Sequence, residues 1–368
     1  MGYSISLPAW SVGTDCYQEV YRVASRFGRK AAVIGGKTAM EKAYGRMKES
    51  LAGTDLVLTD PIWFGGNATY ENSAKLEAME EVRNADMIFA VGGGRAVDTC
   101  KCAAAHLDKP LFTFPTLASN CAGCTSIAIM YNEDDTFRDI MYPARCPQHT
   151  FLNMDIISRA PAEFLWAGIG DSLAKEYESE FASRGKSLFH TTLLGTQIAR
   201  SVTGPLMEYS AEALELNRAR KTGFALEQAA LAIVITAGLV SNMTIGPTGT
   251  EYFYNSSVSH SFYYGTTIIP ASGGRHLHGE IVAYGTLVLL ACDRQYEKLD
   301  RLIVFNHSVG LPVTMAEIDL KEADLPPVAE KASTVTEWDK VPYEVTKEMF
   351  VQAILDVDAR GRKYLAGC

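Results

Sequence analysis

Hydrophobic residues follow two kinds of pattern along this chain. In the N-terminal part, short apolar runs of strand length are separated by stretches in which apolar residues recur at helical spacing. The runs predict strands over residues 31–35, 55–59, 87–91, 111–115 and 151–154, with helices over 16–27 and 73–84 and after residues 39 and 96. Strands that alternate with helices are typical of a parallel sheet with crossover helices.

From Pro161 onward the apolar spacing is helical throughout. Pro161, Ala162 and Glu163 suit the first turn of a helix. The longer periodic stretches predict helices over residues 164–184, 188–202, 206–220, 226–242, 251–265, 278–296, 297–308 and 346–358. We therefore predict an α/β domain over residues 1–158 and an all-α domain over residues 159–368.

Composition and charge argue against several classes of protein. The 368 residues are 47% hydrophobic and 21% charged, with a net charge of −9. This acidic balance argues against nucleic acid as a partner, because nucleic-acid binding needs a basic surface. The N-terminus has no signal-peptide pattern, and the longest uncharged apolar run, 229–240, is too short to span a membrane. We expect a cytoplasmic protein that binds a small molecule and no membrane.

The chain contains eight cysteines, at positions 16, 100, 102, 121, 124, 146, 292 and 368. In a chain of this length they predict free thiols and not a disulfide framework. Cys121 and Cys124 form a CxxC pair, for which a redox pair or half of a zinc site is the alternative interpretation. Since no second CxxC is present, we favour another role for this segment.

Three consecutive glycines, Gly92, Gly93 and Gly94, lie between a predicted strand and a predicted helix. Glycine lets the backbone approach a bound group closely, and a helix N-terminus offers N–H groups and a favourable dipole to a phosphate. The run is not the GxGxxG fingerprint, and a tight turn is the alternative. Further along the same helix, a pair between Asp98 and Lys101 would be structural.

The segment 114–131, FPTLASNCAGCTSIAIMY, follows the next predicted strand. Parallel α/β sheets bind ligands at the carboxyl ends of their strands. The segment offers small hydroxyl-bearing side chains that could line a polar cofactor, namely Thr116, Ser119, Thr125 and Ser126. An irregular loop leading into a hairpin is the alternative.

Asp171 lies in an otherwise apolar, glycine-containing helical stretch. A carboxylate there is costly to bury unless it is paired. His260 and His278 lie in two other predicted helices, and two imidazoles with one carboxylate suit Zn²⁺ or Fe²⁺ while leaving positions open for a substrate oxygen. Spacing alone is weak evidence, because the three residues come from separate helices. We interpret the remaining histidines as ordinary core or surface residues: His106, His149, His190, His276 and His307.

Taken in order, these motifs resemble a known enzyme family. GGGxxxDxxK, PTxAS, AGIGDSLAKxYE, a histidine on a helix and HGExVAYGTL resemble the glycerol dehydrogenase branch of the iron-containing alcohol dehydrogenases. The resemblance implies the dehydroquinate synthase-like fold of that family, with an N-terminal α/β Rossmann-like domain for NAD(P)(H) and an all-α C-terminal domain. It also implies metal-dependent hydride transfer and a homo-oligomer.

The resemblance assigns roles to particular residues. The family's metal ligands fall on Asp171, His260 and His278, and where four-ligand members carry another histidine this chain has Lys175. The site therefore resembles the three-ligand type, which favours zinc over iron. The pyrophosphate loop falls on Gly92, Gly93, Gly94, Arg95, Ala96 and Val97, followed by Asp98, and the other cofactor contacts fall on Gly36, Lys37, Thr116, Leu117, Ser119, Thr125, Ile127, Ile129 and Tyr131.

Two positions depart from the family's pattern. Cys121 stands where glycerol dehydrogenases have an aspartate that helps to hold the polyol, so substrate hydroxyl groups lose an acceptor there. Gly36 stands where members that prefer NAD often have an acid, and Lys37 follows it. The missing repulsive charge and the added cation favour NADP(H), although the sequence leaves NAD(H) open.

The same stretches also resemble the hydroxycarboxylate dehydrogenases of this family, which reduce small 2-oxo acids. Lys175 gives that interpretation a physical basis, because it lies one helical turn from Asp171 and an ammonium near the metal would favour a substrate carboxylate. Alternatively, Lys175 pairs with Glu176, Glu178 or Glu280 and does not contact substrate.

The predicted reaction is the reversible interconversion of a small alcohol and the corresponding carbonyl compound. The favoured pair is a 2-hydroxy acid and its 2-oxo acid. The first alternative is a dehydrogenase of glycerol or another diol. A lyase like dehydroquinate synthase is more distant, because few basic residues for a phosphorylated substrate lie near the metal ligands in sequence. A non-enzymatic binding protein would leave the three ligands without a purpose.

Overall fold

A parallel sheet dominates the N-terminal part of the structure, a computed structural model that describes residues 4–367. The strands are β1 Ala9–Gly13, β2 Lys30–Gly35, β3 Val57–Leu58, β4 Ile62–Trp63, β5 Met87–Gly92, β6 Leu111–Pro115, β7 Ala128–Tyr131, β8 Phe137–Met141 and β9 His149–Asn153. Seven of them form one sheet in the order β1-β9-β6-β5-β2-β3, with β4 also paired to β2, and all of these pairs are parallel. Strands β7 and β8 form a separate antiparallel hairpin.

The sheet changes its direction of growth between β2 and β5. From β2 the chain continues to β3 and β4 on one side, and it then returns to place β5 on the other side of β2. Parallel sheets bind ligands beside the carboxyl ends of strands at such a switch point. Gly35 and Gly92, the last residues of β2 and β5, mark this position.

Two apolar clusters cover the two faces of this sheet. Successive residues of a strand point to opposite faces, and Val33 and Phe89 lie in one cluster while Ile34 and Ile88 lie in the other. Helices over both faces are what a buried parallel sheet requires. The first helices are α1 Val20–Ala24, α2 Lys37–Ser50, α3 Tyr70–Ala78, α4 Glu80–Arg83, α5 Gly94–His106 and α6 Met154–Ser158.

The rest of the chain is mainly helical. Its helices are α7 Ala162–Ser183, α8 His190–Arg218, α9 Phe224–Leu231, α10 Ala237–Thr244, α11 Val258–Thr266, α12 His278–Cys292, α13 Tyr296–Ser308, α14 Leu325–Ala332 and α15 Lys347–Gly367, with a π-helical turn over Ala232–Thr236 between α9 and α10. The predicted fold class, an α/β N-terminal part followed by an all-α part, is confirmed.

The structure divides into two compact units that are not continuous in sequence. The first contains the chain up to Phe164 together with Glu212–Asn242 and Pro247–Gly249, and the second contains the remainder. The predicted division into residues 1–158 and 159–368 assumed continuous domains. Asn217 and Asn242 show why the structure differs, since their amides donate to carbonyl groups at the end of α6 and to the carbonyl of Cys124.

Helix α8 replaces the two helices that the pattern predicts over 188–202 and 206–220. The gap between the two predicted helices contains Pro205, and proline commonly interrupts a helix because it lacks an N–H and crowds the carbonyl of the preceding turn. In the structure Pro205 lies inside a continuous helix of 29 residues. The helix therefore tolerates the loss of the one hydrogen bond that proline removes.

The helix predicted over 251–265 begins only at Val258. The preceding residues use their backbone groups elsewhere: Gly246 donates its N–H to the carbonyl of Tyr252, and Tyr254 donates to that of Thr244, both at 2.8 Å. Ser257 donates to a carboxylate of α7. The apolar pattern also does not predict β1 or α14.

None of the seven cysteines within residues 4–367 forms a disulfide, as predicted. Cys368 lies outside the described residues, and so do the first three residues of the N-terminal segment. One described stretch, Phe224–Thr244, is long and apolar enough to cross a membrane, but 67% of its most apolar window is buried inside the protein, as in a core helix. A cytoplasmic location without a membrane partner stays a prediction.

His149 links β9 to the edge strand β1 and gives stability a defined pH dependence. Its Nε2 lies 2.9 Å from Oγ of Ser11, and burial lowers the pKa of His149 to about 4. The unfolded chain takes up this proton below its ordinary pKa of about 6.5, so the contribution is complete above that pH and is lost as pH falls towards 4. We expect the unfolding free energy of the wild type to fall between pH 7 and pH 5 by about 2 kcal/mol more than that of His149→Gln.

Urea unfolding of both proteins at the two pH values measures this difference. His307→Gln, which changes an exposed histidine, is the matched control and should follow the wild type. Equal pH dependence in the wild type and His149→Gln would contradict the prediction.

Candidate functional site

The structure brings Asp171, His260 and His278 together within the second unit. They lie on α7, on α11 and at the first residue of α12, and one donor atom from each falls within 4.8 Å of the others. Oδ1 of Asp171 is 3.6 Å from Nε2 of His260 and 3.2 Å from Nε2 of His278. Both imidazoles therefore present the same ring nitrogen to one carboxylate oxygen.

Glycines at two helix crossings explain this convergence. A Cβ on Gly279 would lie 1.8 Å from the carbonyl oxygen of Ala167, and one on Gly170 would lie 2.3 Å from that of Gly279. Helices α7 and α12 therefore touch through their backbones beside Asp171 and His278. Gly285 makes the same kind of approach to Ser259, which precedes His260 on α11.

Gly279→Ala is expected to push α7 and α12 apart. The added methyl would overlap a backbone carbonyl, which cannot rotate away, so we expect a loss of about 1–3 kcal/mol in unfolding free energy and a weaker metal site. Denaturant unfolding and metal titration measure the two effects. Gly45→Ala, on α2, is the control because no atom lies within 4 Å of its Cβ position, and wild-type behaviour of Gly279→Ala would contradict the prediction.

Burial and charge make the three side chains a suitable cation site. Asp171 is only 7% exposed, whereas the side chain of His278 is 41% exposed and leaves the group accessible. Burial alone would raise the pKa of Asp171, but the adjacent imidazoles of His260 and His278 hold that pKa well below its usual range. A permanently charged carboxylate with two imidazole nitrogens matches the donor set that binds Zn²⁺ or Fe²⁺.

Glu178 also belongs to this site, as a partner of His260. The sequence suggested Glu178 only as a possible partner of Lys175. One of its oxygens is 2.6 Å from Nδ1 of His260, and the other accepts the backbone N–H groups of Ser257 and His260 at 2.7 and 3.0 Å. Together with Asp171, Glu178 raises the pKa of His260 to about 10, although burial alone would lower it. Its position seven residues after Asp171, two turns along the same helix face, was the available signal.

Lys175 has a neutral partner. It is 4% exposed, and its ammonium donates to Oδ1 of Asn255 at 3.1 Å. The structure does not show the alternative pairing of Lys175 with an acid. Glu178 faces His260, and Glu280 faces Nδ1 of His276 at 2.8 Å. Within residues 4–367 no carboxylate forms an ion pair with this ammonium.

The glycine run lies in the first unit between β5 and α5. Gly92 has φ +141°, a backbone conformation that L side chains rarely adopt, and a Cβ on Gly93 would lie 3.0 Å from the side chain of Leu117. Thr116 donates its N–H to the carbonyl of Gly92 at 3.3 Å. The two segments predicted to bind the cofactor therefore meet at the carboxyl ends of β5 and β6.

The buried pair of Asp98 and Lys101 holds the next part of this loop. Lys101 donates to Asp98 at 2.9 Å, to Oγ1 of Thr125 at 3.0 Å and to the carbonyl of Ile127, while the N–H of Ile129 donates to Asp98 at 3.2 Å. The pair is structural, as one interpretation of the sequence had it. A cofactor role for Asp98 and Thr125 stays a prediction.

The other predicted cofactor residues differ in exposure. The side chains of Ala96 and Val97 are buried in the apolar core, so only their backbone groups are available to a ligand. Ile127, Ile129 and Tyr131 are partly exposed, whereas Ala128 and Met130 between them are buried. The three predicted side chains thus share one face of this segment.

The remaining predicted cofactor residues also lie in the first unit, and several of them contact other residues there. Arg95 pairs with Asp135 at 2.8 Å and lies over the ring of Tyr131. Lys37, the first residue of α2, places its ammonium 5.0 Å from the centre of the exposed Trp63 ring. Gly36 donates its N–H to the carbonyl of Val91, and Ser119 lies partly exposed in the loop after β6.

The CxxC segment is built into the first unit. The thiol of Cys124 is buried and donates to the carbonyl of Val234 at 2.7 Å, and Sγ of Cys121 lies 3.8 Å from Oγ of Ser241. Neither cysteine belongs to a group of metal-binding side chains in the described chain. The predicted contact between Cys121 and substrate stays a prediction.

Comparisons with known proteins find similar dehydrogenases. The family described as iron-containing alcohol dehydrogenase matches residues 8–154. A glycerol dehydrogenase of Thermotoga maritima is 30% identical over 347 residues, covering 92% of each chain, and hydroxycarboxylate dehydrogenase A of Escherichia coli is 28% identical over 298 residues, covering 79% of this chain and 76% of that one. The crystal structure of glycerol dehydrogenase from Schizosaccharomyces pombe superposes with a TM-score of 0.85 at 25% identity, covering 100% of this chain and 93% of that one.

Proposed function

The chain belongs to the iron-containing alcohol dehydrogenase family, and from this premise we propose that it is a metal-dependent, NAD(P)(H)-linked oxidoreductase that interconverts a small 2-hydroxy acid and its 2-oxo acid. Membership makes the chain an oxidoreductase acting on an alcohol and its carbonyl. The choice of an acid substrate depends on one observation, the buried ammonium of Lys175 with its neutral partner Asn255.

A substrate carboxylate would give the buried ammonium of Lys175 a partner of opposite charge. A buried ammonium that has no opposite charge is unfavourable, and a charge-assisted hydrogen bond to a carboxylate offsets that cost. Lys175 follows Asp171 by one helical turn, a rise of about 6 Å along the helix axis at about 1.5 Å per residue. A 2-oxo acid carries its carboxylate beside its carbonyl, so one small substrate could reach both the ammonium and the metal.

Asp171, His260 and His278 would hold the metal, and Gly92 to Gly94 with the segment after β6 would hold the cofactor. A bound divalent metal supplies a Lewis acid that lowers the pKa of a substrate hydroxyl, and the nicotinamide exchanges the hydride. Asp171 contributes the negative charge of the site, and the exposed side of His278 leaves it open to a small molecule. Lys175 orients the substrate by its carboxylate.

The second candidate is a dehydrogenase of glycerol or another diol. It is supported by the names of relatives such as the enzyme of Thermotoga maritima. Cys121 counts against it, since this thiol replaces the carboxylate that would accept polyol hydroxyl groups. The three relatives named above are dehydrogenases, which favours either oxidoreductase over a lyase or a binding protein.

A substrate panel tests the proposal. The purified protein, loaded with Zn²⁺ or Fe²⁺, is assayed with 2-oxobutyrate and 2-oxoglutarate against NADH and NADPH, and with glycerol against both oxidised cofactors. We expect net oxidation of the reduced cofactor by an oxo acid, with kcat/KM at least about 10-fold above that for glycerol, a difference of about 1.4 kcal/mol. Turnover of glycerol alone would overturn the acid assignment and leave the diol assignment.

Further features are proposed with this function. We expect NADP(H) to be preferred over NAD(H) because Lys37 offers a cation near the end of β2, and zinc to be preferred over iron. We also expect a homo-oligomer in the cytoplasm that binds neither nucleic acid nor membrane. The panel with both cofactors, metal analysis and light scattering measure the cofactor, the metal and the assembly.

A further inference from the structure

Glu178 uses both of its carboxylate oxygens within the site. Its side chain has no exposed surface. One oxygen accepts the backbone N–H groups of Ser257 and His260, and the other faces Nδ1 of His260 at 2.6 Å. Every contact therefore runs from α7 to the start of α11, the helix that carries His260.

We propose that Glu178 is a positioning residue for His260 in the metal-bound protein: it keeps the ring proton on Nδ1, so that the lone pair of Nε2 is directed at the metal position. This inference depends on the proposed metal-binding role of Asp171, His260 and His278. The inference explains why Glu178 is a buried acid, although the proposed reaction does not use this residue.

The hydrogen-bonding capacity of a carboxylate leads to this assignment. An ionised carboxylate only accepts hydrogen bonds, so the ring nitrogen that faces it must carry a proton. A neutral imidazole with its proton on Nδ1 has its lone pair on Nε2, and Nε2 is the atom that faces Asp171. Carboxylates that orient metal-binding histidines in this manner are a common second layer around metal sites.

The carboxylate of Glu178 holds the N-terminus of α11 as well as the imidazole ring of His260. Ser257 is the N-cap residue of α11, and its own side chain makes no cap hydrogen bond because it donates to the carbonyl of Lys340. The first N–H groups of a helix lack partners within the helix. Glu178 accepts two of them, so the backbone and the ring of His260 are held by one group on the helix that carries Asp171.

Glu178→Gln separates tautomer control from helix capping. Glutamine has one accepting oxygen and one donating NH₂ in nearly the same shape. The two backbone N–H groups require the oxygen, so the NH₂ faces Nδ1 and makes it an acceptor. The imidazole proton then moves to Nε2 and points at the metal position, as happens when an amide replaces the carboxylate that orients a catalytic histidine.

We expect Glu178→Gln to weaken metal binding by roughly 10- to 100-fold, the range for loss of such an orienting group. The dissociation constant for Zn²⁺ is measured on the full-length protein by competition with a chelator, beside the midpoint of thermal unfolding. Glu176→Gln makes the same change two positions away on α7, at a side chain outside this network, and should bind Zn²⁺ like the wild type.

An Nδ1-bound proton on His260 in Zn²⁺-loaded wild type, seen by ¹⁵N NMR of the imidazoles, is the second expected result and does not depend on whether the variant folds. A lower unfolding midpoint with unchanged Zn²⁺ affinity would reduce Glu178 to a structural cap and overturn the inference. A proton on Nε2 in the loaded wild type would overturn it as well. If the wild type binds no metal at all, the proposed function fails; if the wild type binds metal and turns over but Glu178→Gln equals it, only this inference fails.

Discussion

Asp171→Asn is expected to remove bound metal and catalytic activity together. The amide keeps the shape of the side chain but loses the charge that Nε2 of His260 and Nε2 of His278 both face. Loss of an orienting group around a metal costs up to about 100-fold in affinity, and loss of a ligand that also supplies the charge should cost at least as much. Metal content after dialysis and the turnover rate with the best substrate measure the two effects.

Asp358→Asn is the matched control for losing a buried carboxylate. Asp358 is also buried in the second unit, where it accepts the backbone N–H of Met315 and pairs with Arg362. We expect this variant to lose stability and to keep its metal. Asp171→Asn with full metal content and wild-type turnover would refute the ligand assignment.

Lys175→Met is expected to raise KM for a 2-oxo acid by roughly 10- to 100-fold while leaving KM for a neutral carbonyl compound nearly unchanged. Methionine fills a similar volume without the charge, so the substrate carboxylate loses its charge-assisted hydrogen bond, worth about 1.5–3 kcal/mol. Replacing a buried charge by an apolar side chain is often neutral for stability. Steady-state kinetics with one acid and one neutral substrate of similar size measure the difference.

Asn255→Asp tests the same idea from the other side. A carboxylate at this position would neutralise the ammonium of Lys175 in place of the substrate, so KM for the acid should rise although the lysine is intact. Lys298→Met, at a partly exposed position, is the control and should match the wild type. If Lys175→Met raised KM equally for acid and neutral substrates, the carboxylate assignment would have no support.

The parts of the fold that could be predicted are those in which neighbouring residues carry the information. The buried strands β2, β5 and β6 are short apolar runs, the first two of which end at glycines, and each occurs within about one residue of its predicted position. The three candidate metal ligands were predicted through motifs that each lie within a few residues. Their convergence depends on glycines at helix crossings, and those glycines are part of the same motifs.

The pairing partners of His260 and Lys175 are distant in sequence, so spacing along α7 shows only that Glu178 lies on the same helix face as Asp171 and not which residue it contacts. Glu178 meets His260 across 82 residues, and Lys175 meets Asn255 across 80. The pattern of 251–257 favours a helix, and nothing local shows that its backbone groups are needed by α7 and by the residues before it. The sequence therefore suggested three nearby acids as partners of Lys175, whereas in the structure Lys175 donates to the neutral amide of Asn255.

The discontinuous first unit has a consequence for how the protein is made. A ribosome releases the sheet long before Glu212–Asn242, the segment that completes its unit. Until then the carbonyl groups at the end of α6 lack the amide of Asn217, and Cys124 lacks that of Asn242. The sheet therefore stays incomplete while residues 165–211, which contain most of α7 and α8, are synthesised. A gene fragment that stops after α6 would encode an incomplete first unit, so the whole of this unit cannot be obtained by cutting the chain once.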